Sequence, residues 1–263
     1  MAQRKHKDWF DAELARSLAD KIAANERNFD QEGFVTYVTE RLPPLELKAR
    51  VATFADGFEH FLPGPFAHNA EILTSILGPE NEEETGMFTN FYWVMPVANY
   101  VEQYGLEDFE AAMQLTEAVT KRNTAEYCIR PYLQKYPDRT MRQMRQWASD
   151  KNFHLRRLAS EGVRPRLPWA TKLDQFVERP HPILPILEQL RDDPIRYVQT
   201  SVANCLNDIL KDHPALVRDI LQRWATDRPT EHRKWIIRHA LRRGRKAKDP
   251  WTLNFLGWLD SAN

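Results

Sequence analysis

Residues 156–169 concentrate side chains that can bind a phosphorylated ligand. Four arginines, one glutamate and one tryptophan fall within these fourteen residues. The planar guanidinium of arginine donates parallel hydrogen bonds to a phosphate, and a tryptophan ring offers its face to a base or a cation. The alternative is a buried tryptophan beside an arginine-rich surface loop. The residues concerned are Arg156, Arg157, Glu161, Arg164, Arg166 and Trp169.

Three carboxylates are candidates for acid or base chemistry. Glu126 lies early in a helix predicted over residues 124–130. Glu161 ends the helix of the arginine-rich stretch, which is expected to stop at a left-handed cap on Gly162. Asp208 lies in a helix predicted over residues 194–211. If consecutive helical units stack, their equivalent faces line one groove, where the three acids can meet. Taken singly, each acid is equally explained as a surface charge or an ion-pair partner.

The elements that must position these residues are helices. Seventeen prolines against nine glycines, with Val and Ile rarely alternating with polar residues, favour an all-α chain of short helices. Prolines and an acidic loop separate the periodic segments of the first half. Helices are predicted there over residues 8–26, 31–41, 46–61, 66–77, 91–104 and 107–119.

The second half repeats a pair of helices. Placing Ala159, Ala203 and Ala240 in register aligns three predicted helices at steps of 44 and 37 residues. Helix pairs that recur at such intervals are typical of a HEAT-like solenoid, whose concave face suits an extended ligand. An irregular helical bundle is the alternative. Asn204 and Asp208 lie four residues apart, so this helix keeps one polar face. The aligned helices are predicted over residues 153–160, 194–211 and 231–242.

Charge divides the chain near residue 120. The net charge of zero by itself argues against a nucleic-acid partner. However, residues 1–120 carry 9 basic and 21 acidic side chains, whereas residues 121–263 carry 28 and 16. This asymmetry predicts a polyanionic partner for the second half, or attraction between the two halves. We expect one solenoid domain over residues 1–263, with a concave basic groove in its second part.

Other classes of site find no support in the sequence. Cys128 and Cys205 fall inside helical patterns, so a disulfide framework is not expected. The most apolar stretch, residues 91–101, is too short to span a bilayer, and no signal peptide is expected. No Cys-x-x-Cys or His-Glu-x-x-His spacing occurs, so we expect neither a metal nor a cofactor. These features predict a cytoplasmic monomer that does not bind a membrane.

Segments of the second half resemble the AlkC-type DNA alkylation-repair glycosylases, which are relatives of the AlkD group. The resemblance is carried by RLASEGVRPRLPW at residues 157–169 and SVANCLNDILKDHP at residues 201–214. It extends to AEYCIRP at residues 125–131 and WIIRHAL at residues 235–241. Before residue 120 the resemblance is weaker. We expect a short form without the C-terminal immunoglobulin-like domain of the longer members.

The resemblance implies a HEAT-like solenoid that excises cationic N-alkylated bases from double-stranded DNA in base excision repair. The implied substrates are 3-methyladenine, 3-methylcytosine and 1-methyladenine, engaged without full base flipping. Glu126, Glu161 and Asp208 are implied as the active-site acids, with Trp169 facing the lesion. The arginines expected to hold DNA are Arg156, Arg157, Arg164, Arg166, Arg238 and Arg242.

The chemistry suits these residue types independently of the resemblance. A base alkylated at a ring nitrogen is already cationic and leaves with little help from a general acid. Carboxylates can stabilise the remaining oxocarbenium-like sugar and orient the attacking water. We expect a monofunctional enzyme, because the sequence around Lys121 and Lys172 does not indicate a Schiff-base nucleophile.

A catalytically inactive HEAT-like scaffold that binds DNA or protein is the alternative to an enzyme. The scaffold hypothesis predicts that the three acids are dispersed or ion-paired. The enzyme hypothesis predicts that they cluster around Trp169.

Overall fold

The computed structural model describes residues 4–86, 88 and 90–261. Within these ranges the regular structure consists of sixteen α-helices and three short 3-10 helices, without strands. The all-α prediction is confirmed. The α-helices are α1 (Ala12–Ala23), α2 (Gln31–Arg41), α3 (Leu47–Phe61), α4 (Phe66–Ser75), α5 (Met95–Tyr104), α6 (Phe109–Thr120), α7 (Ile129–Lys135), α8 (Pro137–Trp147), α9 (Phe153–Glu161), α10 (Asp174–Glu178), α11 (Leu184–Gln189), α12 (Arg196–Ile209), α13 (Pro214–Thr226), α14 (Glu231–Ala240), α15 (Arg242–Lys246) and α16 (Pro250–Ser261).

The helices of the first half begin and end close to their predicted bounds, because local capping fixes them. Helix α2 coincides with its predicted range, and its N-cap Asp30 accepts a hydrogen bond from the N–H three residues later. The helix predicted over residues 8–26 is shorter than expected. Asp11 accepts hydrogen bonds from two N–H groups of the next turn and so starts α1 at Ala12.

The chain divides into two compact units, Met1–Tyr132 and Leu133–Asn263. In the first unit, α1 packs on α2, α3 on α5, and α4 on α6. Its core is aromatic: the rings of Phe34 and Phe58 are both fully buried and stack at a centroid distance of 5.6 Å. The prediction of a single domain over residues 1–263 stays a prediction.

In the second unit, three helices from successive repeats pack side by side. Helix α12 lies between α9 and α14 and packs on both. The aligned residues Ala159, Ala203 and Ala240 are all 0% exposed, as small residues between closely packed helices should be. The predicted repeat register and the helical-repeat fold are confirmed, whereas the concave basic groove stays a prediction.

Three further features of the described ranges concern other classes of protein. No helix there is both long and apolar enough to cross a bilayer. Cys128 and Cys205 are both buried free thiols. No group of three or more His, Cys, Asp and Glu side chains in those ranges is arranged to hold a metal ion.

Candidate active site

Helix α9 carries one of the predicted acids, Glu161, as its last residue. The sequence favours a left-handed cap at Gly162, and this prediction is wrong. Gly162 has φ −62°, and its N–H donates to the carbonyl of Leu158, so the chain continues in a right-handed turn. In that turn the Arg164 N–H donates to the Glu161 carbonyl at 3.2 Å. The turn therefore places the Arg164 side chain beside the Glu161 carboxylate.

Arg164 joins two of the predicted acids. Its Nη1 donates to Glu161 Oε1 at 2.6 Å, and its Nε donates to Asp208 Oδ2 at 2.9 Å. All three residues are buried, with 7% of Arg164, 5% of Glu161 and 3% of Asp208 exposed. Arg157 Nη2 lies 3.5 Å from Glu161 Oε1 and adds a second positive charge. We call Glu161 and Asp208 the acid pair, and Arg164 is their shared arginine. Charges buried to this extent are stable only when they pair with one another.

The surroundings move the pKa values of the two acids in opposite directions. Burial raises the pKa of Glu161, but Arg157, Arg164 and a hydrogen bond from Ser201 together outweigh it, so the net pKa is lowered. For Asp208, burial outweighs the attraction of Arg164, and the negative charge of Glu161 adds to it, so its pKa is raised. The surroundings therefore favour the charged form of Glu161 and disfavour that of Asp208.

Two buried serine hydroxyls support the acid pair, and the sequence analysis missed both. Ser160 Oγ donates to Ser201 Oγ at 2.7 Å and so links α9 to α12 beside Glu161. Ser160 is 0% and Ser201 2% exposed. Their signal in the sequence is a small polar residue at helix positions that are otherwise apolar. The Ser201 hydroxyl, which Ser160 contacts, hydrogen-bonds the carboxylate of Glu161.

The polar face predicted for α12 is occupied by an arginine. Asn204 Oδ1 accepts a hydrogen bond of 2.7 Å from Arg242 Nη2. Burial lowers the pKa of Arg242, and the positive charges of Arg243 and Arg164 lower it further. Arg242 thus lies close enough to Arg164, the shared arginine of the acid pair, for their positive charges to interact.

Trp169 is exposed, and its backbone is strained. Its side chain lies on the loop after α9 and 75% of the residue is exposed, so the alternative of a buried tryptophan is wrong. Its φ of 62° lies in the left-handed region, where a residue other than glycine costs about 1–2 kcal/mol. Strain of this kind is typical of ligand-binding positions.

Glu126 lies in the first unit, in a position that differs from its prediction. The sequence predicts a helix from residue 124, but α7 begins at Ile129 and Glu126 lies in the turn before it. The hydroxyl of Thr124 donates to Glu126 Oε2 at 2.8 Å and draws the chain into that turn. Glu126 is 5% exposed, so this acid is as buried as Glu161.

Most of the arginines predicted to hold DNA are paired with carboxylates. Five of the six lie within 4.0 Å of a carboxylate oxygen. A phosphate must compete with these internal partners, so their role in binding DNA stays a prediction. The pairs are Arg156 with Asp193, Arg157 with Glu161, Arg164 with Glu161 and Asp208, Arg166 with Asp212, and Arg238 with Asp260.

Two of the three predicted acids are therefore both clustered and ion-paired. The ion pairs are those that the scaffold hypothesis predicts. The clustering of all three acids around Trp169, which the enzyme hypothesis predicts, stays a prediction.

The family model described as DNA alkylation repair enzyme matches residues 96–243. The chain belongs to this family. The matched region begins in α5 and ends in α15, so it contains all four predicted active-site residues and all six predicted DNA-binding arginines.

Two known proteins match the chain along nearly its whole length. The uncharacterized protein YhaZ of Bacillus subtilis strain 168 is 35% identical over 253 residues, which are 96% of this chain and 68% of YhaZ. The structure of Pseudomonas fluorescens alkylpurine DNA glycosylase AlkC, bound to DNA containing an abasic site analog, matches with a TM-score of 0.86 and 33% identity. That match covers 96% of this chain and 68% of AlkC. The resemblance to the AlkC-type DNA alkylation-repair enzymes is confirmed.

We expect the substitution Glu161→Gln to destabilise this family member more than Asp208→Asn. The lowered pKa of Glu161 means that its charge contributes stability above its unfolded pKa, which is lost as pH falls through the folded pKa. The raised pKa of Asp208 has the opposite effect on stability. The protonated form of Asp208 contributes stability at low pH, and this contribution is lost as pH rises through the folded pKa. At neutral pH we expect losses of about 2 kcal/mol for Glu161→Gln and under about 1 kcal/mol for Asp208→Asn in urea unfolding. An equal or larger loss for Asp208→Asn would contradict this assignment.

Proposed function

We propose that the chain is a DNA glycosylase that hydrolyses the N-glycosidic bond of cationic N-alkylated bases in double-stranded DNA. The observation that carries this proposal is the match over 96% of the chain to an alkylpurine DNA glycosylase bound to DNA with an abasic site analog. Membership of the DNA alkylation repair enzyme family supports it. The substrates are 3-methyladenine first, and then 3-methylcytosine and 1-methyladenine. The enzyme acts as a monomer in the bacterial cytosol and engages the lesion without full base flipping.

The two acids that share Arg164 divide the catalytic work. Glu161 stays ionised because its pKa is lowered despite burial, and its charge stabilises the positive charge that develops on the deoxyribose. Burial raises the pKa of Asp208, which makes it a stronger base than an ordinary aspartate, and it orients and deprotonates the attacking water. Because one guanidinium binds both carboxylates, both act on the same sugar. Arg164 is then a positioning residue more than a contact to the DNA backbone.

Trp169 completes the proposed site in the second unit. The exposed ring of Trp169 faces the lesion and favours a cationic base over its neutral parent. This gives a physical reason for selectivity, since an undamaged base carries no charge for the ring to attract. Glu126 is assigned as the third acid on the resemblance alone.

The proposal is tested by incubating the purified protein with a duplex treated with a methylating agent and separating the released bases by chromatography. We expect release of 3-methyladenine well above the spontaneous rate measured with heat-inactivated protein. We also expect the DNA strands to stay intact until they are heated in alkali, because a monofunctional glycosylase leaves an abasic site. Strand cleavage by the protein alone would contradict the monofunctional assignment.

One observation favours the alternative of a catalytically inactive scaffold. Glu161 and Asp208 are ion-paired, as that hypothesis predicts. The same experiment separates the two hypotheses. A protein that binds the duplex but releases no base from it is a scaffold, whereas catalysed release of 3-methyladenine excludes the scaffold.

A further inference from the structure

A cluster of basic side chains on α12, α14 and α15 differs from the five predicted DNA-binding arginines that pair with carboxylates. Arg196, His239 and Arg242 have no carboxylate oxygen within 4.0 Å in the ranges that the structure describes. Arg196 is exposed, and the other two are half-buried. These groups can therefore bind an external anion without first breaking an internal ion pair.

An aromatic side chain holds part of this cluster in a fixed orientation. The guanidinium carbon of Arg196 lies 3.8 Å from the centre of the Trp235 ring. The imidazole of His239 stacks on the same tryptophan at 4.6 Å with an interplanar angle of 11°. An arginine that lies flat on a ring keeps its N–H donors in its own plane, where they remain available to an oxygen ligand. The stack therefore orients the Arg196 guanidinium and the His239 imidazole before a ligand binds.

The cluster is linked to α12 one turn before a catalytic acid. Asn204 and Asp208 lie four residues apart, so they are on one side of α12, whereas Arg196 is the first residue of the same helix. Asn204 binds Arg242 at 2.7 Å and links the cluster to that face. Burial lowers the pKa of His239, as do the positive charges of Arg242 and Arg196. The two arginines thus lie close enough to His239 to disfavour its protonated form, and an anion bound among the three side chains would offset that repulsion.

We propose that Arg196, His239 and Arg242 form a binding subsite for a phosphate of the DNA backbone, with Trp235 as its stacking platform. The subsite rests on the proposed function in that its ligand is the DNA that presents the lesion. Because Asn204 binds Arg242 and lies one turn before Asp208, a phosphate bound beside Arg242 helps to fix the strand relative to the acid pair. Arg196 and the platform formed by Trp235 and His239 are not among the residues that the sequence predicts to hold DNA.

The test is the salt dependence of binding to an undamaged duplex for Arg196→Gln. Each phosphate contact by a basic side chain contributes about 0.9 to the slope of log K against log salt concentration. We expect Arg196→Gln to reduce that slope by about 0.9 and the affinity by about tenfold near 0.1 M salt. The matched control is Arg223→Gln on α13, which removes an equally charged side chain that pairs with Asp219 at 3.3 Å. The control should keep the wild-type slope.

A second variant separates charge from stacking. Arg196→Lys keeps the positive charge but loses the flat contact with Trp235, so it should keep the wild-type slope and show an affinity between those of wild type and Arg196→Gln. The subsite is wrong if Arg196→Gln retains the wild-type slope, or if Arg223→Gln reduces the slope equally. This outcome is distinct from failure of the proposed function, because the slope is measured on binding alone and base release on a methylated duplex.

Discussion

Replacement of Asp208 by asparagine is expected to lower the rate of 3-methyladenine release at least about 100-fold under single-turnover conditions. Asparagine keeps an oxygen that can accept the hydrogen bond from Arg164 Nε, now at 2.9 Å, so the local geometry should survive. It cannot take a proton from the attacking water, and it offers no negative charge to the developing sugar cation. The affinity for an undamaged duplex should stay within about threefold of wild type, because Asp208 is 97% buried and does not contact bulk solvent.

The matched control for this prediction is Asp219→Asn. Asp219 lies on α13, its side chain is 69% exposed, and its partner is Arg223, so the substitution removes the same charge from the surface. We expect wild-type release from this variant. If Asp208→Asn released base within threefold of wild type, Asp208 could not be the group that activates water, and the assignment would pass to Glu161.

Replacement of Trp169 by alanine is expected to lower release of 3-methyladenine by about 10–30-fold, because a desolvated cation–π contact is worth about 2 kcal/mol. The fold should not suffer, since the side chain is exposed. A glycine at this position should lose the same activity and raise the stability by up to about 1 kcal/mol, because it removes the left-handed strain. Single-turnover release and thermal unfolding measure the two effects separately.

Trp258→Ala serves as the control for Trp169→Ala. Trp258 lies on α16, is 44% exposed, and falls outside the matched range of residues 96–243. We expect it to leave base release unchanged. A Trp169→Ala variant with wild-type release would show that this ring does not face the lesion, whatever its stability.

The sequence predicts the helices well because their limits are local. Helix α2 starts and ends where its pattern predicts, since its cap Asp30 lies within the same segment. The alanine register also holds, because small residues must recur wherever neighbouring repeats pack closely. The prediction fails at Gly162 and at Glu126, where hydrogen bonds of a single turn override the average preference of the residues. Cap geometry and short turns depend on φ and ψ values that composition does not fix.

The site is less predictable because its partners lie one repeat apart. The sequence identifies Glu161 and Asp208 as candidate acids, but it assigns the arginine that joins them to DNA binding. Arg164 and Asp208 are 44 residues apart, which is the first repeat step itself. A similar spacing recurs in other ion pairs. Opposite charges separated by about one repeat are therefore the sequence signal that predicts such pairs. Examples are Arg156 with Asp193 at 37 residues, Arg166 with Asp212 at 46 and Arg233 with Asp192 at 41.

The shared arginine also bears on how this site can change during evolution. A substitution at Arg164 alone would leave Glu161 with Arg157 at 3.5 Å and would deprive Asp208 of its donor at 2.9 Å. An apolar residue at one of the acidic positions would likewise leave part of a buried guanidinium without an acceptor. Positions 161, 164 and 208 should therefore be inherited as one unit, so that in related chains a change at one is accompanied by a change at another.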